Sequence, residues 1–428
     1  MRGLFAAVVL SACLASAQQA DEEADNGSDG FTPTQEVAHE TLRLTGYVDV
    51  GFAVAGGNGS SFAENDTRIP AEYGVDAFAP AVNSRGEVAS VDSRGVFTNG
   101  FLPRSVGIGN RPSFLLNTAS ADLRFTPATV PLLVFVRLQV MPRTERSGDQ
   151  TRVELQQAFG RVSPFSSQEL AISLGKFDSV FGIEYLENEA NLRTGITPSL
   201  IARYTTGQSL GLKVFYRVQL APLWSAISIN LAATASGTKV ESLVDPHRSL
   251  TGVPVGSGRL GYELNLQRVQ ARLGVSGLAG PRNDQLNRAV KQLAVGADLR
   301  VSLFGVSLSG ELVRLIDERG VARGKFTPLG EFELASSFTV TGLYVTAAWQ
   351  LPVATGFLDH VTLYGRYDHR QAKFEGFGQV EVDRFTAGIR VDLFGQLAIK
   401  AEVLINREVA GAPDVPNDVF TSSAVFSW

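Results

Sequence analysis

Cysteine is all but missing from this chain: one of 428 residues, at position 13. Methionine (2), tryptophan (3) and histidine (4) are nearly as scarce. Without thiols there is neither a disulfide framework nor a Cys-ligated metal site. The net charge of −5 lacks the basic footprint of a nucleic-acid binder. Outside the extreme N-terminus no apolar run reaches the ~20 residues that a membrane-spanning helix requires. What is present is apolar all the same: 44% hydrophobic residues, only 19% charged, 43 Gly and 26 Phe. That composition is too apolar for a disordered chain.

The first 40 residues stand apart from the rest. Arg2, the apolar stretch 4–12 and Ala15-Ser16-Ala17 before Gln18 read as a secretory signal over 1–17. Leu10-Ser11-Ala12-Cys13 also has the form of a bacterial lipobox, so lipidation at Cys13 stands as the alternative to cleavage after Ala17. Residues 18–40 hold seven acids and no Lys or Arg, a polar leader predicted to be disordered. Since 38 bases include Arg2 and 43 acids include those seven, residues 41–428 keep 37 bases and 36 acids and are electrically balanced.

That balanced remainder alternates with period two. From 42 to 54 the even positions read Leu42, Leu44, Gly46, Val48, Val50, Phe52, Val54 against Arg43, Thr45, Tyr47, Asp49, Gly51, Ala53. The pattern returns at 209–219, 291–303 and 396–407. Alternation of this kind is a strand with one apolar and one polar face. A soluble sandwich also alternates, but its strands average about 5–6 residues. Here they run ~10, the length of a tilted strand crossing a bilayer. The expectation is therefore all-β: a single closed antiparallel transmembrane β-barrel.

Sixteen strands are predicted, at 41–54, 113–125, 132–141, 152–162, 169–177, 208–219, 226–235, 259–267, 269–278, 291–303, 306–316, 338–350, 359–368, 384–393, 396–407 and 419–428. Short links, such as 126–131 and Phe304-Gly305, alternate with long ones at 55–112, 142–151, 178–207, 236–258, 279–290, 317–337, 369–383 and 408–418. Short periplasmic turns opposite long extracellular loops are the asymmetry of outer-membrane barrels. Trp224, Trp349, Trp428, Phe125, Phe304 and Phe394 fall at the short-turn end, and Phe52, Tyr367, Phe385 and Phe420 at the other, which predicts two aromatic girdles. Closure requires strand 41–54 to pair with 419–428, because an unpaired sheet edge in hydrocarbon costs several kcal/mol per group.

Segment 170–185, Leu-Ala-Ile-Ser-Leu-Gly-Lys-Phe-Asp-Ser-Val-Phe-Gly-Ile-Glu-Tyr, followed by Asn191 and Thr206-Gly207, resembles the Gly-Lys-Phe…Phe-Gly-x-Glu stretch of bacterial outer-membrane β-barrel porins, the OmpL-like relatives of phosphate-selective porins. The C-terminal Phe420-x-x-x-Ala424-x-Phe426-x-Trp428 resembles the insertion signature of such proteins. The resemblance implies a channel for small hydrophilic solutes or ions, surrounded by outer-membrane lipid and assembled as a homotrimer. It also implies that 178–207 folds into the lumen. The arginine ladder and lysine-rich loop of a phosphate-selective porin are not seen.

Read from the residues alone, loop 178–207 is either a solvated external loop or a constriction whose carboxylates face basic wall residues. The candidate constriction comprises Asp178, Glu184, Glu187, Glu189 and Arg193 from the loop, with Arg124, Arg137, Arg217, Asp298 and Arg300 from the wall. Further lumen candidates are Asp122, Lys213, Glu263, Arg272, Glu311, Arg366, Asp368, Arg390, Asp392 and Glu402. Opposed charges across a narrow pore set up a transverse field that filters solutes.

Other functions fit less well. An enzyme needs a nucleophile beside a base, and His39, His247, His360 and His369 lack a Ser motif next to them. The Gly320…Lys325 stretch has the wrong spacing for a phosphate loop. No cofactor, metal or nucleic-acid partner is expected. An energised-transport receptor would need 22 strands and a plug domain. The remaining rival is a structural or adhesive barrel whose lumen is blocked, loop 55–112 being long enough to fill it.

Overall fold

Sixteen antiparallel strands close on themselves in a computed structural model that describes residues 41–55, 113–141, 152–165, 169–220, 224–235, 253–266, 268–283, 289–326, 330–353, 355–374, 378–410 and 418–428. The signal, the acidic leader and nearly all of loop 55–112 lie outside the described residues. In chain order the strands are β1 (Thr41–Ala55), β2 (Ser113–Thr126), β3 (Leu132–Met141), β4 (Arg152–Val162), β5 (Leu170–Asp178), β6 (Gln208–Leu220), β7 (Ser225–Thr234) and β8 (Val255–Leu266). Then follow β9 (Val269–Asn283), β10 (Ala289–Leu303), β11 (Val306–Phe326), β12 (Gly330–Leu351), β13 (Leu358–Phe374), β14 (Gly378–Leu393), β15 (Leu397–Ala410) and β16 (Val419–Ser427). Every strand pairs with its sequence neighbours, and β1 pairs with β16 from Tyr47↔Ser427 to Ala55↔Val419. The Trp428 N–H donates to the Gly46 carbonyl at 3.0 Å, so the seam is hydrogen-bonded to the last residue.

The predicted alternation appears as alternating exposure. Even residues of β1 point outward, with Leu44 66% exposed, whereas Tyr47 and Asp49 are buried. Leu174, Leu212, Leu231, Leu260, Val275, Leu293, Leu312 and Ile399 continue this exposed apolar surface around the ring. Soluble monomers rarely expose apolar surface of this extent, so the outer wall is suited to lipid. Trp224, Phe304, Trp349, Phe357, Phe394 and Trp428 are exposed at the short-turn end, and Phe385 and Phe420 near the opposite one. Two of the short turns repeat one device. Phe304-Gly305 and Phe394-Gly395 both have positive φ (51° and 78°, 56° and 67°), the signature of a type I′ hairpin turn. A phenylalanine is strained there, and an aromatic at the bilayer boundary accounts for it.

The long-loop side departs from expectation. Segments predicted as loops at 279–290, 317–337 and 369–383 are largely strand, since β9 to β14 run on into them, whereas in 408–418 the strand among the described residues is only 408–410, the end of β15. β11 and β12 pair as far as Phe326↔Gly330. A ladder is held by backbone hydrogen bonds and so continues where the apolar alternation of the sequence has stopped. That is why 317–326, Asp-Glu-Arg-Gly-Val-Ala-Arg-Gly-Lys-Phe, reads as loop.

Candidate functional site

Between β5 and β6 the chain leaves the sheet for residues 179–207, closed at its base where the Ser179 N–H donates to the Gly207 carbonyl. This segment touches side chains of β1, β3, β9, β10, β11, β13, β14 and β15. A single segment reaches strands on all sides of a closed ring only from within, so the loop lies in the lumen. The strand residues that it touches define the lumen face.

A chain inside a barrel has no sheet partner, and its buried N–H and C=O groups must find others. Wall carboxylates take the N–H groups. Glu311 accepts from Ile183 (3.1 Å) and Glu184 (3.2 Å), and Asp368 accepts from Leu200 (3.1 Å). Glu402 accepts from Ile196 and Thr197 and from the Thr197 hydroxyl (2.8 Å). Wall cations take the carbonyls. Arg366 donates to Thr197 O (2.7 Å) and Pro198 O (2.9 Å), and Arg384 to Pro198 O (2.7 Å). Arg390 donates to Arg193 O (3.0 Å), and Lys400 to the carbonyls of Ala190 (2.6 Å), Arg193 and Gly195.

Inside the loop, a 3₁₀ turn (Glu184–Glu187) and one helical turn (Ala202–Thr205) are tied by two buried charges of opposite role. The Glu184 carboxylate accepts from the Ser199 N–H (2.6 Å) and hydroxyl, while Arg193 donates to the carbonyls of Glu187, Asn188 and Ile196. Phe181, Leu200, Ile201 and Tyr204 pack on an apolar patch of the lumen wall that includes Leu278, Val313, Leu315, Val340 and Val382.

The candidate constriction residues sort into three groups. Glu189 accepts from Tyr47 Oη (2.5 Å) and pairs with Arg137 (2.6 Å), itself bidentate to Asp122, while Glu187 pairs with Arg300. Asp178, Glu184 and Arg193 make hydrogen bonds close to or within the loop, Asp178 accepting from Gln157 (2.6 Å) and Gln208 (3.0 Å). On the wall, Asp298 pairs with Arg259 (2.6 Å) and Arg217 with Glu263 (3.2 Å), and Arg124 faces Arg43 in the β1–β2 register. Sequence reasoning passed over Tyr47, Ser276, Arg384 and Lys400, which also anchor the loop. For the last three the signal is in the sequence, since Ser276, Arg384 and Lys400 share strand parity with the lumen candidates Arg272, Arg390 and Glu402, whereas β1 holds no candidate beside Tyr47. It also treated Phe181, Ile183, Leu200 and Ile201 as loop residues, although four large apolar side chains in a solvated loop are a warning that it is not solvated.

Gly182 shows how tightly the loop is seated. Its φ is +72°, its N–H donates to Ser276 Oγ (3.0 Å), and a Cβ there would collide with the Glu311 carboxylate. Gly182→Ala is expected to cost about 2 kcal/mol or more, seen as faster proteolysis within 179–207 while the barrel stays folded. Glu184 makes docking pH-dependent. Burial pushes its carboxyl above the ordinary range, partly offset by the bonds from Ser199. The docked loop therefore holds a proton more readily than the open chain. Its stability is greatest below the ordinary glutamate value and declines as pH rises from there through the raised one. Glu184→Gln should flatten that decline in melting curves taken from acid to neutral pH; an unchanged slope would assign it to another group.

Among the described residues, no group of three or more His, Cys, Asp or Glu is placed to hold a metal ion. Among the described residues the molecule is a closed sixteen-stranded barrel with loop 179–207 inside it. No protein-family model and no curated protein matches the chain. Its fold is similar to that of solved outer-membrane proteins. An anion-selective porin from Comamonas acidovorans superposes with a TM-score of 0.52 at 11% identity, over 91% of this chain and 100% of that one. The outer-membrane channel DcaP of Acinetobacter baumannii gives 0.51 at 11% identity, over 93% and 100%. At such identities the likeness establishes the fold and no narrower family.

Proposed function

We propose that this protein is an integral outer-membrane porin, a water-filled channel for passive diffusion of small hydrophilic solutes or ions, in which loop 179–207 is the constriction. The observation that carries the reading is the loop's anchoring within the lumen of a barrel with an apolar outer wall. Sixteen strands enclose an aqueous lumen and not a packed core, and a loop across it narrows the passage without removing it. Assembly as a homotrimer belongs to the same proposal, and chemical cross-linking in native membranes checks it.

The test is reconstitution of the refolded chain in a planar bilayer. Stepwise conductance is expected, and releasing the loop should enlarge the steps. Glu402→Ala removes the acceptor for two loop N–H groups and one hydroxyl. Losing charge-assisted bonds of this kind costs about 3 kcal/mol, enough to leave the loop undocked part of the time. Because the loop crosses the lumen, a structural or adhesive barrel with a closed lumen is the second reading. A correctly folded protein that never conducts, in wild-type or Glu402→Ala form, would favour that reading.

A further inference from the structure

Arg314 of β11 is an arginine on the lipid-facing side of the wall. Its neighbours in sequence, Val313 and Leu315, are fully buried in the lumen patch under the loop, whereas Arg314 is exposed and shares strand parity with Leu312, itself 46% exposed. It lies nine residues past Gly305, just as Phe385 of the outer girdle lies nine residues before Phe394 in the matching hairpin. Strands of about 9–11 residues cross the hydrocarbon. That count carries Arg314 from the short turn to the opposite boundary of the bilayer.

Among the described residues nothing neutralises it: Arg314 has no hydrogen bond, ion pair or ring contact. Its neighbours on the same face are Val295 of β10, Leu312 and Ile316 of β11, and Thr339, Thr341 and Leu343 of β12. The carboxylates of β14 on that face, Glu381 and Asp383, stand three strands away and are engaged. Glu381 accepts from Gln371 and Gln379 (3.3 Å each), and Asp383 from the Tyr367 hydroxyl (3.0 Å) with His369 Nδ1 at 2.7 Å. An unpaired guanidinium on an apolar, lipid-facing surface is costly unless it reaches an anion at the boundary. Donors lie beside it. Thr341 is directly opposite Arg314, and Thr339 is directly opposite Lys373 of β13, a second exposed cation with no partner among the described residues.

We infer that Arg314, with Thr341 beside it and Lys373 two strands on, holds the phosphate of an anionic lipid in the outer leaflet, whose acyl chains lie over the exposed Leu312 and Val345. A guanidinium fork matches two phosphate oxygens at once. A lipid phosphate already resides at this depth, whereas a free phosphate would have to leave water for an open wall. The inference rests on the lipid-facing wall of the proposed outer-membrane barrel and is independent of whether the lumen conducts.

The experiment titrates the full refolded chain, in a neutral detergent, with phosphatidylglycerol and counts bound lipid by native mass spectrometry. Arg314→Gln is expected to weaken the tightest binding about fivefold, the share of one cation at a membrane surface. Arg314→Lys, which keeps the charge without the fork, should fall between that variant and wild type. Arg407→Gln should bind as wild type does, because Arg407 also faces outward but already pairs with Asp418 (3.3 Å). Inorganic phosphate at the concentration of the lipid should leave the complex intact. Arg314→Gln removes a charge from an apolar face and should fold at least as well as wild type, which melting in the same detergent checks. Unchanged affinity in Arg314→Gln, an equal loss in Arg407→Gln, or displacement by inorganic phosphate overturns the lipid site while leaving barrel and channel standing. A chain that stays folded and dispersed in buffer without detergent takes down the lipid-facing wall, and the site with it.

Discussion

Asp368→Ala is expected to free the tip of the lumen loop, speeding hydrogen exchange at the amides of residues 196–201 by at least a hundredfold. Asp368 is fully buried on β13. It accepts from the Leu200 N–H, from Arg366 Nε at 2.8 Å and from Arg384 Nε at 3.4 Å. Those two guanidiniums in turn hold the carbonyls of Thr197 and Pro198. Removing the carboxylate leaves two cations without their shared counter-charge in a site closed to water, a change that costs about 3–5 kcal/mol. Each 1.4 kcal/mol is tenfold in an opening equilibrium, hence the size of the expected effect. Asp368→Asn keeps an acceptor of the same shape and should fall between. Exchange that is unchanged in the alanine variant would mean that the apolar patch around Val313 and Leu315 alone seats the loop.

The second large effect concerns the other face of the wall. Val275 is 56% exposed in the middle of β9, flanked on the same face by Leu260 of β8 and Ala297 of β10 in the register. Val275→Arg places a charge in the hydrocarbon band and should cost about 2–4 kcal/mol, the depth-dependent penalty for arginine near the bilayer midplane. Gln270→Arg, on the same strand but facing the lumen near its mouth, should cost little. Unfolding of the two variants by denaturant from lipid vesicles compares them directly. Equal losses would remove the distinction between lipid and lumen faces.

Much of this architecture is legible in the residues because a membrane barrel has only one way to satisfy its backbone. Alternation such as Leu42, Leu44, Val48, Val50 against Arg43, Thr45, Tyr47, Asp49 states both the strand and which face meets lipid. The strand count follows from the number of alternating segments, and the pairing of β1 with β16 from closure. Where the apolar alternation stops, as in 317–326, the hairpin extension cannot be read from periodicity. The apolar lumen patch was hidden for a related reason. In Leu312-Val313-Arg314-Leu315-Ile316 both faces are largely apolar, and only the inward-folded loop explains Val313 and Leu315. Charges were easier to locate than to interpret: Glu311, Asp368 and Glu402 are recognisable as lumen residues, but that they bind backbone N–H groups depends on where residues 183–200 fold.

The central claim is that one closed wall separates lipid from a lumen containing its own loop. Because the sequence has a single Cys, at position 13, spin labels can be introduced singly along β9 after replacing it. Labels at 273, 275 and 277 should be accessible to oxygen in lipid vesicles and shielded from a water-soluble nickel reagent. At 272 the preference should reverse, and at 276 and 278, beneath the loop, both reagents should be excluded. Accessibility that drifts along the strand without this period of two would contradict the account.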